Sequence, residues 1–250
     1  MPLRGSDSTG KERHRTMACI LLIHGAYTGG WVWSRVAAEL RAAGHHVLAP
    51  SLDGCAERAH LIRPGITTES QAEELAGLLF HEDLREVVLV GTSTGGMVLC
   101  RLAEIARARV GRLVFADALA LRDGERVADI VRRPTAVSTA LTTGPSREDA
   151  EGRLFAELEP GLRAWTLARY RQHPIAAMEA PVRLERFWDL PWPNSTVIWC
   201  RRSANPPQAH QRRTAESLNA RWLELDTGHY PMLTEPVALA RMILAGEGEG

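Results

Sequence analysis

The chain has 250 residues, of which 45% are hydrophobic and 24% are charged, an ordinary composition for a globular protein. Thirty basic residues balance thirty acidic ones, so the formal net charge is zero. This balance argues against a dedicated nucleic-acid-binding protein and against a largely disordered chain. A chain of this length makes one or two domains and can bury a full core without disulfides or metals.

The N-terminal segment and the cysteines bear on where the protein resides. Residues 1–16 are polar and basic, and the strongly apolar run after them is only Met17 to Ile23, too short for a membrane helix. We expect a disordered leader over residues 1–16, followed by a buried strand. No pair of the four cysteines has the close spacing of a zinc or redox motif, which favours reduced thiols in a cytoplasmic protein.

Short apolar runs alternate with amphipathic helical patterns along most of the chain. Apolar runs are continuous, rather than alternating, when both faces of a parallel sheet are covered. The order of the elements predicts a doubly wound, mostly parallel α/β sheet. The predicted strands are Ala18–Ile23, Val47–Ala49, Glu86–Val90, Arg112–Ala116, Thr196–Trp199 and Trp222–Leu225. The predicted helices are Trp31–Ala43, Thr67–Phe80, Gly96–Ala108, Gln208–Asn219 and Pro236–Ala245.

One stretch, residues 120–190, interrupts this alternation. It shows no convincing strand and contains helix-like pieces separated by proline and glycine. An insertion of this length is too long for a loop, and we expect it to form a helical cap over the carboxyl edge of the sheet. The predicted organisation is therefore a core of residues 17–119 and 191–246 with a cap of residues 120–190. The helix-like pieces are Asp123–Arg132, Arg147–Leu158, Pro160–Gln172 and Ala176–Phe187.

The strongest motif is G-T-S-T-G-G, residues 91–96, between an apolar strand and an amphipathic helix. This is the context of a nucleophile elbow, a tight turn that strains the serine backbone and requires small neighbours. The turn places the hydroxyl at a helix N-terminus, which favours developing negative charge. We predict Ser93 as a catalytic nucleophile; the alternative is a glycine-rich turn that binds phosphate or only reverses the chain.

A glycine-containing loop, H-G-A-Y-T-G-G of residues 24–30, directly follows the first predicted strand. Glycines let backbone N–H groups point at a ligand, and in this architecture the loop supplies one oxyanion-hole donor while the residue after the nucleophile supplies the other. We predict the N–H groups of Ala26 and Thr94 as these donors, and His24 as a brace of the loop. The alternative is a purely structural turn.

A third element, L-D-T-G-H-Y-P of residues 225–231, follows the last predicted strand. A histidine on a glycine-containing loop at the carboxyl end of a strand suits a general base. Of the nine histidines, His229 is the only one in such a position late in the chain. We predict His229 as the base, and Asp226 as a brace of its own loop.

These motifs together resemble the α/β-hydrolases, and more narrowly the branch of plant methyl esterases, hydroxynitrile lyases and their bacterial relatives. The resemblance covers residues 17 to 240, in the segments LLIHGAYTGGWVW, LAPSLDGCAERAHL, VLVGTSTGGMV, RLVFADALALRDGE and LELDTGHYPMLTEP. It implies Ser93 as nucleophile, His229 as base, and the Ala26 and Thr94 amides as the oxyanion hole. It also implies no metal and no organic cofactor.

Three features depart from the family pattern. Thr92 precedes the nucleophile, where relatives commonly carry His or Glu, so the contacts behind the nucleophile differ. Hydroxynitrile lyases carry Thr and Lys where this chain has Gly25 and Tyr230, which disfavours cyanohydrin chemistry. Many α/β-hydrolases place the catalytic acid after the strand Thr196–Trp199, but the segment CRRSANPP that follows here offers no carboxylate.

The acid that orients His229 must then come from another loop at the carboxyl edge of the sheet. We predict Asp117, which directly follows the strand Arg112–Ala116 and keeps the chain order Ser93, Asp117, His229. The alternative is that Asp117 only caps the first turn of the cap, and that Asn205 or a water molecule orients the histidine.

The leading functional hypothesis is a serine hydrolase of a small or medium-sized carboxylic ester, thioester or lactone, acting through an acyl-enzyme. The alternatives are a non-hydrolytic biosynthetic enzyme of the cyclisation, lyase or decarboxylation type that reuses the triad, and a small-molecule receptor. The expected partner is a small-molecule substrate, without nucleic acid or membrane, and the expected state is a monomer or homodimer. The candidate pocket-lining residues are Tyr27, Trp31, Leu119, Trp165, Tyr170, His173 and Met178.

Overall fold

The computed structural model describes residues 17–132 and 136–245. The predicted leader, residues 1–16, and the last residue of the predicted core, residue 246, lie outside the described residues. The strands are β1 (Cys19–Ile23), β2 (His46–Leu48), β3 (Val87–Ser93), β4 (Val110–Ala118), β5 (Val137–Ser138), β6 (Thr142–Gly144), β7 (His173–Pro174), β8 (Thr196–Cys200) and β9 (Arg221–Leu225). The α-helices are α1 (Ser34–Ala42), α2 (Thr68–His81), α3 (Gly95–Ile105), α4 (Val127–Ile130), α5 (Arg147–Asp149), α6 (Pro160–Arg169), α7 (Ile175–Glu179), α8 (Gln208–Ser217), α9 (Pro231–Thr234) and α10 (Pro236–Leu244).

The main sheet has the strand order β2-β1-β3-β4-β8-β9, and all its neighbouring pairs are parallel. This confirms the predicted fold class, and every predicted strand lies in this sheet. Strands β3 and β4 run further than predicted, because their pairing continues past the apolar runs through a register shift between Thr92 and Ser93. Ser93 and Asp117 therefore lie within the ends of paired strands rather than in free loops.

Apolar side chains cover both faces of the main sheet. Along β1, Ile20 and Leu22 pack into one hydrophobic cluster, whereas Leu21 and Ile23 pack into the other. Because successive side chains of a strand point to opposite faces, each face of the sheet holds one cluster. Helices α2 and α3 contribute to the cluster of Leu21, and α1 and α10 to the cluster of Ile20. Burial of each such Leu or Ile contributes about 1.5–3 kcal/mol to the stability of the fold.

The helices that flank the main sheet differ from prediction only at their ends. The predicted helix over residues 31–43 starts as a 3-10 turn, Gly30–Trp33, before α1 begins. The predicted helix over residues 96–108 ends at Ile105 and continues as a separate 3-10 turn, Arg107–Arg109. Within the described part of the chain, no helix is long and apolar enough to cross a membrane.

The cap segment, residues 120–190, departs from the prediction of a purely helical insertion. It contains a small antiparallel sheet of β5, β6 and β7, so the expectation that it holds no strand was wrong. These strands are two or three residues long, too short to leave an alternating pattern in the sequence. Its helices are also shorter than predicted, and α5 continues as a π-helical turn, Ala150–Leu154. Whether the cap segment is a separate domain stays a prediction.

Candidate active site

Ser93 lies at the C-terminal end of β3 and directly precedes Thr94, the N-cap of α3. Its φ is +49°, in the left-handed region that non-glycine residues rarely adopt. Two glycines leave room for this turn. A Cβ on Gly25 would lie 2.6 Å from the Ser93 Cβ, and one on Gly95 would lie 2.5 Å from the His24 carbonyl oxygen. The backbone is thus a strained turn from strand to helix that presents the serine hydroxyl at the helix N-terminus.

Asp117 and His229 are joined by a hydrogen bond of 2.7 Å between Asp117 Oδ2 and His229 Nδ1. The aspartate side chain is fully buried, whereas the histidine ring is 23% exposed. With Nδ1 donating to the carboxylate, Nε2 is the proton acceptor of the neutral ring. The ring and Ser93 line the same cavity. Ser93 Oγ has no hydrogen-bond partner among the described residues, and catalytic hydrogen bonds often close only around substrate.

The Asp117 carboxylate has a second partner, Gln211 on α8, that the sequence analysis did not single out. The Gln211 amide donates to Asp117 Oδ1 at 2.7 Å and to the Pro206 carbonyl at 3.0 Å, and the residue is fully buried. The φ of Asp117 is +49°, so bonds to both carboxylate oxygens hold a strained residue in place. The sequence signal that could have identified Gln211 is its place as a polar residue on the buried face of α8, which also carries His210 and Thr214.

The other candidates for orienting His229 have different partners. The Asp226 side chain is 63% exposed and pairs with Arg201 at 3.3 Å, on the solvent side of its loop. Asn205 lines the cavity, but the hydrogen bond at His229 Nδ1 is made by Asp117. The geometry therefore favours Asp117 as the orienting group and Asp226 as a brace.

The predicted oxyanion loop is held by two side chains that bind one carbonyl. His24 Nδ1 lies 2.8 Å, and Thr28 Oγ1 3.0 Å, from the Gly25 carbonyl oxygen. His24 Nε2 accepts a hydrogen bond from the Leu52 N–H at 2.9 Å, so Nδ1 carries the proton and donates it. Burial lowers the pKa of His24 to about 4, which keeps the ring neutral.

This bracing sets the direction of the Ala26 N–H. The Gly25 C=O and the Ala26 N–H belong to one planar trans peptide, so they point in opposite directions. Because the carbonyl is bound inside the protein, the N–H faces away from those partners. Ala26 and Thr94 both line the cavity beside Ser93, which fits the predicted pair of oxyanion donors.

A cavity of about 560 Å³ lies above Ser93 and His229, at the carboxyl edge of the sheet. Val127 and Met178 of the cap segment line one wall and belong to the hydrophobic cluster of α2 and α3. Val32 lines the opposite wall and belongs to the other cluster. The cavity therefore lies between the two halves of the core, under the cap segment, and its size suits a small or medium-sized ligand.

The structure divides the predicted pocket-lining residues into two groups. Tyr27 and Met178 line the cavity, and so does Leu119. Trp31 and Tyr170 are not among the lining residues, and their role in substrate binding stays a prediction. Trp31 of the core packs edge-on against Trp165 of the cap segment, with ring centroids 5.2 Å apart.

Tyr170 contacts Pro145 and Tyr27, which line the cavity, but is not itself a lining residue. Its hydroxyl donates to the Pro145 carbonyl at 2.6 Å, and its ring packs against Phe155. His173, also among the candidates, is buried with its Nδ1 3.5 Å from the Cys55 sulfur. The contacts of Tyr170 with Pro145 and Phe155 lie within the cap segment, whereas the His173 contact joins the cap segment to the core.

Charged side chains also line the cavity. Arg153 pairs with Asp149 at 3.3 Å, and Glu157 accepts a hydrogen bond from the Tyr230 N–H at 3.2 Å. In the described ranges, no three His, Cys, Asp or Glu side chains are grouped as ligands for a metal ion. These charged side chains line a cavity whose surface is otherwise mostly apolar.

Comparison with known proteins shows which family the chain resembles in sequence. A family profile described as "Alpha/beta hydrolase family" matches residues 20–242. The "Carbendazim hydrolyzing esterase" of Nocardioides sp. (strain SG-4G) is 37% identical over 130 residues, 51% of this chain and 54% of that protein. The chain thus spans about half the length of this relative. "Methylesterase 3" of Arabidopsis thaliana is 25% identical over 254 residues, 90% of this chain and 94% of that protein.

Solved structures show the same architecture. An extracellular alpha/beta-hydrolase from a Paenibacillus species superposes with a TM-score of 0.79 at 20% identity, over 93% of this chain and 100% of that one. A pyrethroid hydrolase from Sphingobium faniae JZ-2 superposes with a TM-score of 0.74 at 21% identity, over 92% of this chain and 97% of that one. At these identities the likeness shows the fold alone. Together with the sequence matches, it confirms the predicted resemblance to methyl esterases and bacterial esterases.

Proposed function

Since the chain belongs to the alpha/beta hydrolase family, we propose that it is a serine hydrolase of small or medium-sized carboxylic esters, thioesters or lactones. The observation that carries the proposal is one arrangement: a strained Ser93 beside an Asp117–His229 hydrogen bond, at the floor of one cavity. A receptor does not need a nucleophile, a base and an acid in these positions, so the arrangement favours catalysis over binding alone.

The acylation step uses the groups that face the cavity. Ser93 Oγ attacks the carbonyl carbon of the ester while His229 Nε2 takes the hydroxyl proton. The buried Asp117 carboxylate stabilises the resulting imidazolium, and the Ala26 and Thr94 N–H groups bind the oxyanion of the tetrahedral intermediate. Collapse of the intermediate breaks the bond to the leaving alcohol or thiol, which takes the proton from Nε2.

The deacylation step repeats this chemistry with water. His229 Nε2 takes a proton from a water molecule as its oxygen attacks the acyl carbonyl, and the same N–H groups bind the oxyanion. The second tetrahedral intermediate then releases the carboxylic acid, and Ser93 Oγ recovers its proton from the imidazolium. For a lactone the leaving hydroxyl stays on the acyl chain, so a single hydroxy acid is released.

The cavity supports the proposed size and polarity of the substrate. Its apolar walls favour uncharged acyl and leaving groups, because burial of apolar surface drives such binding. The sequence relatives named for ester hydrolysis, the carbendazim esterase and methylesterase 3, fit this class. We therefore expect turnover of p-nitrophenyl acetate and butyrate.

Covalent labelling tests the nucleophile directly. A fluorophosphonate probe should label the protein at Ser93, and Ser93→Ala should abolish the label and lower kcat about 10⁴-fold or more. Ser203→Ala is the matched control, because Ser203 lines the same cavity on a different loop and should be dispensable for labelling. Full turnover in Ser93→Ala, or a label on Ser203, would contradict the proposal.

A non-hydrolytic reaction that reuses the triad is the second candidate, and Thr92 is the observation that favours it. The Thr92 hydroxyl is buried, belongs to a residue that lines the cavity, and has no hydrogen-bond partner in the described residues. An unpaired buried hydroxyl is costly, so its presence next to the nucleophile indicates a role other than packing. Turnover in ¹⁸O-water separates the candidates: hydrolysis places the label in the acid product, whereas cyclisation or lyase chemistry leaves the product unlabelled.

A further inference from the structure

Glu157 connects the cap segment to the loop that carries the catalytic histidine. The residue follows the π-helical turn Ala150–Leu154, and its Oε1 accepts a hydrogen bond from the Tyr230 N–H at 3.2 Å. Tyr230 directly follows His229 in the chain. A side chain of the cap therefore binds the backbone next to the imidazole, although it does not belong to the triad.

Gly228, on the other side of His229, is the residue that admits this carboxylate. A Cβ built on Gly228 would fall on the Glu157 side chain, and its three nearest atoms all belong to Glu157. Gly228 does not have the positive φ that requires glycine, so its backbone accepts alanine. A side chain at this position would therefore have to displace the Glu157 carboxylate.

An aromatic contact supports the same connection. Phe155 packs against the Tyr230 ring with centroids 5.2 Å apart, and both residues are buried. Residues 155–157 of the cap thus hold both the side chain and the N–H of Tyr230, and they cover Gly228. The cap segment thus binds Tyr230 and covers Gly228, while Asp117 binds the imidazole from the sheet.

We propose that Glu157 is a positioning residue for the esterase reaction: its carboxylate binds the Tyr230 N–H and lies against Gly228, and this keeps the His229 loop placed so that Nε2 can reach Ser93. The inference rests on the proposed function. The Asp117 bond fixes only Nδ1, so a shift of the loop would swing Nε2 away from the serine. A displacement of about 1 Å in a catalytic group can cost on the order of 10²-fold in rate.

The role depends on an acceptor oxygen rather than on charge, and this makes matched variants informative. Glu157→Gln keeps an oxygen for the Tyr230 N–H, whereas Glu157→Ala removes it. Gly228→Ala expels the carboxylate without touching Glu157. If the two residues act through one contact, the double variant Glu157→Ala/Gly228→Ala is no slower than the slower single variant.

The test is kinetics with p-nitrophenyl butyrate on the full-length protein. We expect Glu157→Ala and Gly228→Ala each to lower kcat about 10- to 100-fold with KM changed less than about threefold, and Glu157→Gln to stay close to the native enzyme. A native kcat in Glu157→Ala overturns the proposal. So does a kcat in Glu157→Gln as low as in Glu157→Ala, or an additive loss in the double variant.

Hydrogen exchange at the Tyr230 amide, followed by NMR, keeps this test separate from the esterase activity. The amide should exchange faster in Glu157→Ala and Gly228→Ala than in the native protein, and at the native rate in Glu157→Gln. An unchanged exchange rate in Glu157→Ala overturns the positioning role even if the protein hydrolyses esters. Absence of turnover and of fluorophosphonate labelling in the native protein refutes the proposed function instead, while the exchange rates still report on the contact.

Discussion

The edge of the sheet that carries Ser93 and Asp117 and the cap segment above it are built differently. Ser93 and Asp117 belong to paired strands, and the chain that follows Asp117 is tied back by a 2.8 Å hydrogen bond from the Leu119 N–H to the Ser93 carbonyl. In the cap segment, α4, α5 and α7 have three to five residues, and β5 and β7 have two. Helices this short are not stable alone, so the cap depends on packing against the core.

We expect this difference in construction to give the two regions different roles: the reaction at the edge of the sheet and the choice of substrate at the cap. Reacting groups on long paired strands are held to a fraction of an ångström, which proton transfer and oxyanion binding require. A cap of short elements opens at lower cost and tolerates exchange of its side chains. We therefore expect substitutions at the sheet edge to change kcat strongly, and substitutions on the cavity wall of the cap to change the choice of substrate.

The largest effect is expected from Asp117→Asn. The amide cannot hold the Nδ1–H tautomer or stabilise the imidazolium, so kcat should fall on the order of 10⁴-fold with the fold intact. Asp226→Asn is the matched control, since that side chain is 63% exposed and pairs with Arg201. Near-native turnover in Asp117→Asn, with a loss in Asp226→Asn or Asn205→Ala, would show that another residue orients His229.

Acid should destabilise both regions together through buried histidines. Burial lowers the pKa of His24, beneath the oxyanion loop, to about 4, and that of His173, in β7, to about 3. Both start from an ordinary value of 6.5, so between pH 6.5 and about 4 the unfolded chain binds more protons than the folded protein. The free energy of unfolding should therefore decrease as the pH decreases through this window, by up to about 1.4 kcal/mol per pH unit for each histidine.

Urea unfolding at several pH values between 8 and 5 measures this slope. His24→Gln should make the dependence of the unfolding free energy on pH shallower, because the substituted side chain does not titrate. His81→Gln, at the exposed end of α2, should leave this dependence as in the native protein. A slope that His24→Gln leaves unchanged would rule out His24 as a source of the acid sensitivity.

A smaller effect is expected at Gln211, which binds Asp117 of the proposed triad. Gln211→Leu removes the donor to Asp117 Oδ1, a hydrogen bond to a charged group, and should lower kcat about 10- to 100-fold. Thr214→Val serves as the control, because Thr214 lies on the same buried face of α8 and its hydroxyl bonds to His210 instead. Equal turnover in the two variants would mean that Asp117 needs no support from α8.

The smallest effects should come from the cap. Met178→Leu reshapes the cavity wall at nearly constant volume, so relative rates for acetate, butyrate and octanoate esters should change several-fold with stability altered by less than about 1.5 kcal/mol. Tyr170→Phe should do the reverse. It loses only the bond to Pro145, costs about 1 kcal/mol of stability and leaves the rates unchanged. A change of selectivity in Tyr170→Phe but not in Met178→Leu would contradict the assignment of Met178 to the cavity wall and of Tyr170 to packing.

The sequence-based predictions succeeded where a local signal was strong and failed where partners are distant in the chain. The glycines around Ser93 and the glycine before His229 predicted turns at strand ends, and the structure places them at the ends of β3 and β9. Gln211 lies 94 residues from Asp117, and Glu157 lies 73 residues from Tyr230. Neither pair has a characteristic spacing or motif in the sequence, so each contact depends on how helix α8 and the cap segment pack against the sheet.

The sequence by itself determined the parallel sheet, the order of its elements and the serine turn. These features follow from local physics: continuous apolar runs require cover on both faces of a strand, and a strained serine requires small neighbours. Only the tertiary structure decided that Met178 lines the cavity while Trp31 and Tyr170 pack against other side chains outside its lining. An aromatic or thioether side chain suits a core and a pocket equally well. Which one it meets depends on how elements distant in sequence are oriented against each other, and residue type and spacing do not record that orientation.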